Sequence, residues 1–102
     1  MQPFITAKHA EIIDLCRTHH ARRLSVFGSA VRDDFDPATS DVDLRIEFHP
    51  DALDNYVRNL EDLYDSLTKL FGRKVDLLSA QEIRNPRLRK IIEEAQVTLY
   101  AA

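Results

Sequence analysis

The sequence predicts one α/β (α+β) domain spanning residues 1–102, in which a sheet of about four strands is backed by helices. Three observations carry that expectation. A chain of 102 residues has no room for a second core, because a typical domain takes roughly 100–150 residues. Residues 41–48 alternate strictly, with Val42, Leu44, Ile46 and Phe48 set against Asp41, Asp43, Arg45 and Glu47, the period of a half-buried strand. Along the chain the patterns then run helix, strand, short helix, strand, helix, strand, helix, strand.

In order, Thr6 is placed to cap a helix running to about His20, with Ile12, Ile13, Leu15 and Cys16 on its apolar side. Residues 23–27 read as a short strand ending at Gly28, and Asp41–Phe48 as the second strand. From Asp51 to Phe71, Leu53, Tyr56, Val57, Leu60, Leu63, Tyr64, Leu67, Leu70 and Phe71 follow helical spacing, and Gly72 stands where a helix C-cap belongs. Lys74–Ser79 reads as a third strand, with Ser79 and Glu82 spaced as a capping box beyond it. Asn85-Pro86 opens a further helix, since proline suits the first helical position, and Leu88, Ile91, Ile92 and Ala95 are its apolar residues. Val97–Tyr100 is a closing edge strand.

Composition narrows the function classes. Fourteen Lys and Arg against seventeen Asp and Glu give a net charge of −3, which argues against a general nucleic-acid binder with its basic excess. With 44% hydrophobic and 30% charged residues the chain is not a disordered tail. No apolar run approaches the ~20 residues that span a bilayer, and the Met-Gln-Pro-Phe start lacks the order of a signal peptide. The single cysteine, Cys16, has no internal disulfide partner, which fits a reducing cytoplasm. Charge is also uneven: Asp33–Asp54 holds eight acids and one base, Arg17–Arg32 four arginines and no acid, and Arg84–Lys90 four cations and no acid. Such blocks are ordinarily solvated faces.

The acidic block contains chemistry. Asp41 and Asp43, at i and i+2, point to one face of a strand roughly 6–7 Å apart. Two carboxylates with no cation between them in sequence call for positive charge, and a hard divalent ion such as Mg²⁺ supplies it through oxygen ligands. Asp76 is the only carboxylate in the third strand, between Val75 and Leu77, a segment expected to be mostly buried and costly for a lone charge. If the third strand pairs beside the second, the three carboxylates form a cluster able to hold two metals about 3.5–4 Å apart for phosphoryl displacement. The bland alternative has Asp41 capping the strand, Asp43 in water and Asp76 on an arginine.

Phe27-Gly28-Ser29 favours the first reading. It follows a strand and precedes a helical turn at Ala30-Val31-Arg32. Gly28 lets backbone approach a ligand without a Cβ in the way. The Ser29 amide and hydroxyl and their neighbours can meet an anion, and Arg32 can pair with a phosphate oxygen.

Gly28-Ser29, eleven residues, then Asp41-Val42-Asp43 resembles the Gly-Ser…Asp-x-Asp signature of the polymerase-β-like nucleotidyltransferase superfamily. The stretch from Val26 to Phe48 is similar to the minimal nucleotidyltransferases, the MntA-like antitoxin partners of HEPN-domain ribonuclease toxins. Gly72–Leu78 looks like that family's third-aspartate strand, and residues 85–95 with Tyr100 look like its C-terminal end. The likeness spans about Leu24 to Tyr100. One departure is the serine-to-aspartate spacing, one residue longer than is usual in the family, which the 36–39 loop can absorb.

The resemblance implies a mixed sheet with Gly28-Ser29 and the three aspartates at one edge. It implies ATP as substrate, two Mg²⁺ ions held by Asp41, Asp43 and Asp76, phosphate contacts from Gly28, Ser29 and Arg32, and Asp76 helping to deprotonate the acceptor hydroxyl. Because the catalytic module nearly fills the chain, the acceptor is expected in an open cleft, and the resemblance points to a tyrosine of a HEPN toxin. Two alternatives stand: an antitoxin that silences its toxin by binding alone, and a small-molecule nucleotidyltransferase acting on an aminoglycoside-like hydroxyl, which would call for a homodimer. Elsewhere, His9, His19, His20 and His49 lack zinc-ligand spacing with Cys16. Cys16 reads as a filler of core or interface, and Tyr56, Tyr64 and Tyr100 as packing residues. The Arg84–Lys90 cations suit a wet helix face, with an acidic partner or RNA as the alternative.

Overall fold

The computed structural model describes residues 2–32, 35–36, 38–79 and 83–102. The expected capping box therefore lies outside the described residues at its Glu82 end, as does Asp33 at the head of the acidic stretch. The chain begins with a single turn, α1 (Pro3–Thr6), then α2 (His9–Thr18), β1 (Ala21–Phe27), a 3₁₀ turn at Gly28–Ala30, and β2 (Val42–Phe48). A 3₁₀ segment at Pro50–Asn55 leads into α3 (Tyr56–Phe71), followed by β3 (Val75–Ser79), α4 (Pro86–Ala95) and β4 (Val97–Ala101).

The four strands form one mixed sheet in the order β3-β2-β1-β4. β1 is antiparallel to both β2 and β4, whereas β2 and β3 are parallel. A parallel neighbour requires a crossover, which α3 supplies. Right-handed crossovers then fix the faces. The step from β2 to β3 puts α3 beside α2 on one face, and the return across the sheet from β3 to β4 puts α4 on the other. In β2, Val42, Leu44, Ile46 and Phe48 are buried, while Asp43, Arg45 and Glu47 point the other way. They join Ile12, Cys16, Leu24, Val26, Leu63 and Leu67 in the core between the sheet and α2/α3.

Three expectations are corrected. Thr6 does not cap the first helix: its hydroxyl donates back to the Pro3 carbonyl at 3.0 Å, and α2 starts only at His9, after Lys8. Burial explains the break. Ile5 is fully buried and Phe4 packs on Phe35 and Phe71, so the first residues close into a separate turn that covers the core. The long helix is α-helical only from Tyr56, the stretch Pro50–Asn55 before it being 3₁₀. On α4 only Ile92 is buried, while Leu88 and Ile91 are exposed. The expected ends hold elsewhere: Asn85 accepts from the Arg87 and Leu88 amides, and Gly72 closes α3 in the left-handed conformation. No helix among the described residues is long and apolar enough to cross a membrane.

Candidate active site

The site forms at the end of the sheet where β1 leaves and β2 and β3 enter. Phe27, the last residue of β1, is the register partner of Asp43, and Asp43 is the register partner of Asp76 across the parallel pair. The topology thus places Gly28, Asp43 and Asp76 on three consecutive strands or strand ends. Asp41 stands just before β2, where the Val42 amide donates to the Lys74 carbonyl at 3.1 Å.

Asp43 is half-buried and carries the electrostatic signature of the site. Burial first, then the charges of Asp76 and Asp41, hold its carboxyl above the ordinary carboxylate range, while Arg32 pulls the other way. Asp43 therefore feels the charge of both other aspartates. The segment is mostly buried, as expected, but Asp76 itself is exposed: Val75 and Leu77 turn into the core, and Asp76 between them turns out. Lys74 lies beside Asp41 at 3.8 Å, a pairing that sequence reading missed because it depends on the β2–β3 register. The Lys74 side chain is 77% exposed and that of Asp41 36%, so solvent screens the pair and it contributes little to stability.

Gly28 has two reasons to be glycine. Its φ is +71°, and a Cβ there would run into the Asp43 carboxylate, with Asp43 Cγ 3.2 Å away. The close approach is between backbone and the Asp43 carboxylate, a contact sequence alone did not suggest. The turn after it uses the Val31 and Arg32 amides on the Gly28 and Ser29 carbonyls, each at 3.1 Å. The Ser29 and Ala30 amides remain at the head of the turn.

Asp36 organises the described residues Ala38, Thr39 and Ser40 that follow it. Its carboxylate accepts from the Ala38 amide at 2.9 Å and the Thr39 hydroxyl at 3.0 Å, which lowers its pKa. Its own amide donates to the Ser40 hydroxyl. Arg73 stacks on Phe4 and Phe35, 4.3 and 5.3 Å from the ring centroids, tying Phe35 to the N-terminal turn.

All three candidate ligands are carboxylates, the donor set that suits Mg²⁺. Among the described residues no three Asp, Glu, His or Cys side chains close into a cage of their own. Mg²⁺ seldom uses such cages; it keeps waters and binds through one or two carboxylates plus substrate phosphates. The mutual repulsion at Asp43 is relieved by a cation there, so the residues fit the ion.

Cys16 is buried, and burial pushes its thiol up to about 12, so it is no nucleophile. His9 meets the Leu99 carbonyl at 3.1 Å and His19 the Ser66 hydroxyl at 3.3 Å. Tyr56 packs edge-on against Phe48.

A family model, the nucleotidyltransferase domain, matches residues 10–98. The chain belongs to the nucleotidyltransferase domain family. It is accordingly a nucleotidyltransferase. Two curated relatives from Methanocaldococcus jannaschii bear the names "Putative protein adenylyltransferase" MJ1379 and MJ0128. They are 33% identical over 90 residues and 35% identical over 92 residues, each alignment covering 88% of this chain and 86% of the relative. A solved structure of a "putative minimal nucleotidyltransferase" superposes with a TM-score of 0.68 at 30% identity, covering 90% of this chain and 89% of that one. The fold is also that of a toxin–antitoxin crystal structure with AMP-PNP, at TM-score 0.70 and 22% identity, covering 92% of this chain and 73% of that one. It likewise matches a complex of a tri-AMPylated Shewanella oneidensis HEPN toxin with its MNT antitoxin, at TM-score 0.65 and 20% identity, covering 96% and 73%.

Proposed function

We propose that this nucleotidyltransferase moves AMP from ATP to a protein hydroxyl, that of a tyrosine on a HEPN-domain toxin, and so acts as an antitoxin. The observation that carries the chemistry is the pairing of Asp43 with Asp76 across β2 and β3, with Asp41 near enough to disturb Asp43 and Gly28 packed against it. The names of the curated relatives and the toxin–antitoxin complexes of the same fold support the acceptor class.

In this reading Ser29 and the amides at the head of its turn bind the β- and γ-phosphates, with Arg32 beside Asp43 as a further phosphate contact. Asp41 and Asp43 would hold Mg²⁺ on the nucleotide side, and Asp76 would complete the acceptor side. Bound there, two Mg²⁺ ions would neutralise charge on the triphosphate and lower the pKa of the acceptor hydroxyl. The acceptor oxygen bonds to the α-phosphorus in line with the bridging oxygen of pyrophosphate. The hydroxyl proton passes to the Asp76 carboxylate, pyrophosphate leaves, and AMP remains on the acceptor. Holding acceptor and α-phosphorus in line supplies much of the rate. Exposure of Asp76 suits this role, because a protein acceptor has to reach it from outside.

The test is pyrophosphate release with ATP, Mg²⁺ and the purified toxin, alongside toxin neutralisation. Release that requires the toxin, and loss of both effects in Asp43→Ala, is expected. Full neutralisation by Asp43→Ala, with no transfer by the intact protein, would make the chain a binding antitoxin instead.

A further inference from the structure

Two exposed apolar patches on this chain have opposite charge. The first is the flank of α3 that looks past the β3 edge. Val57 and Tyr64 stand 64% and 39% exposed, and a groove of about 430 Å³ runs beside them between Leu60, Glu61, Tyr64, Asp65 and Leu77. Glu61 and Asp65 are exposed, and neither enters an ion pair among the described residues. The second patch lies on α4, on the opposite face of the sheet. Leu88 and Ile91 stand 47% and 57% exposed, one helical turn apart. Exposed Arg84 and Arg87 flank them, likewise without an ion pair among the described residues.

We infer that the chain associates with a second copy of itself, the acidic–apolar flank of α3 on one protomer receiving the basic–apolar flank of α4 from the other. Each patch is what the other lacks. Leu88 and Ile91 are apolar knobs of a size to enter the groove beside Tyr64, and Arg84 and Arg87 bring two cations to two carboxylates. Docking one helix flank on another removes two apolar surfaces from water, where each alone leaves large side chains solvated. α4 is suited to present such a surface because it is itself fixed to the sheet. Arg45, on the outer face of β2, donates to Glu93 and Gln96, and Ile92 is buried beneath. The contact joins unlike surfaces, so it closes when both copies exchange the same pair of patches, and otherwise extends. It uses none of Asp41, Asp43 and Asp76 and stands independently of the transfer reaction.

Sedimentation of the full chain at low and high salt, with light scattering, tests this. The wild type is expected at or above twice the 11.8 kDa chain mass at low salt, falling towards the monomer as salt screens the pairs. Glu61→Lys/Asp65→Lys leaves two basic patches, and Arg84→Glu/Arg87→Glu leaves two acidic ones; each variant alone is expected to be monomeric. Circular dichroism verifies that both are folded. An equimolar mixture of the two is expected to recover the wild-type mass, because every contact between unlike variants is again of opposite sign. A monomeric wild type at low salt overturns the inference. So does an oligomer that survives either charge reversal, or a mixture of folded variants that stays monomeric.

Discussion

Gly28 and Gly72 share a positive φ, yet their surroundings separate them. A Cβ at Gly72 meets nothing within 4 Å, whereas at Gly28 it meets the Asp43 carboxylate. Gly72→Ala is therefore expected to cost about 1–2 kcal/mol, the left-handed penalty alone, with transfer unchanged. Gly28→Ala adds displacement of Asp43 and is expected to abolish most activity as well as stability; thermal melts and transfer assays on the pair check this. Asp43 itself gives a pH prediction. Its folded pKa is raised, so the stability it contributes is fully present below the unfolded value of about 3.9 and is lost as pH rises through the folded pKa. At neutral pH without metal, Asp43→Asn is expected to melt higher than wild type, with the difference opening upward from about pH 4. Mg²⁺ with ATP should raise the wild-type melting temperature more than that of the variant, and chelation should reverse it.

At the scale of the elements, the strands were legible because their period is simple. β2 alternates along its whole length, and every inward position that the sequence assigns is buried. α3 was legible in its inward residues, of which Leu63 and Leu67 are fully buried, and Leu67→Ala is expected to cost about 2–5 kcal/mol in denaturant unfolding. α4 shows where periodicity misleads. Leu88, Ile91 and Ile92 share helical spacing, but the sheet face beneath accepts only Ile92, because Arg45 occupies the adjoining surface with Glu93 and Gln96. Its start was legible from Asn85-Pro86, and Asn85→Ala should cost about 1 kcal/mol through loss of the cap. The N-terminal break at Ala7-Lys8 was not legible, because it follows from where Ile5 and Phe4 are buried and not from local preference.

For the molecule as a whole, spacing in the sequence pointed to the residues of the candidate site but not to their arrangement. Asp41 and Asp43 on one strand, and Gly28-Ser29 after another, could be read from spacing. That Asp76 lies opposite Asp43 depends on β2 and β3 being parallel neighbours in one register, which no local pattern encodes. The same register brings Lys74 to Asp41 and turns Asp76 outward. The net charge of −3 takes on a different meaning once these carboxylates are assembled: part of the acidity is concentrated where a metal–nucleotide complex would balance it. The most direct measurement is the intact mass of the purified HEPN toxin after incubation with ATP, Mg²⁺ and this protein. A gain of one AMP or a whole multiple, absent with Asp43→Ala and absent after chelation, is the predicted result. An unchanged toxin mass with the intact protein, while the toxin is nevertheless silenced, would contradict it.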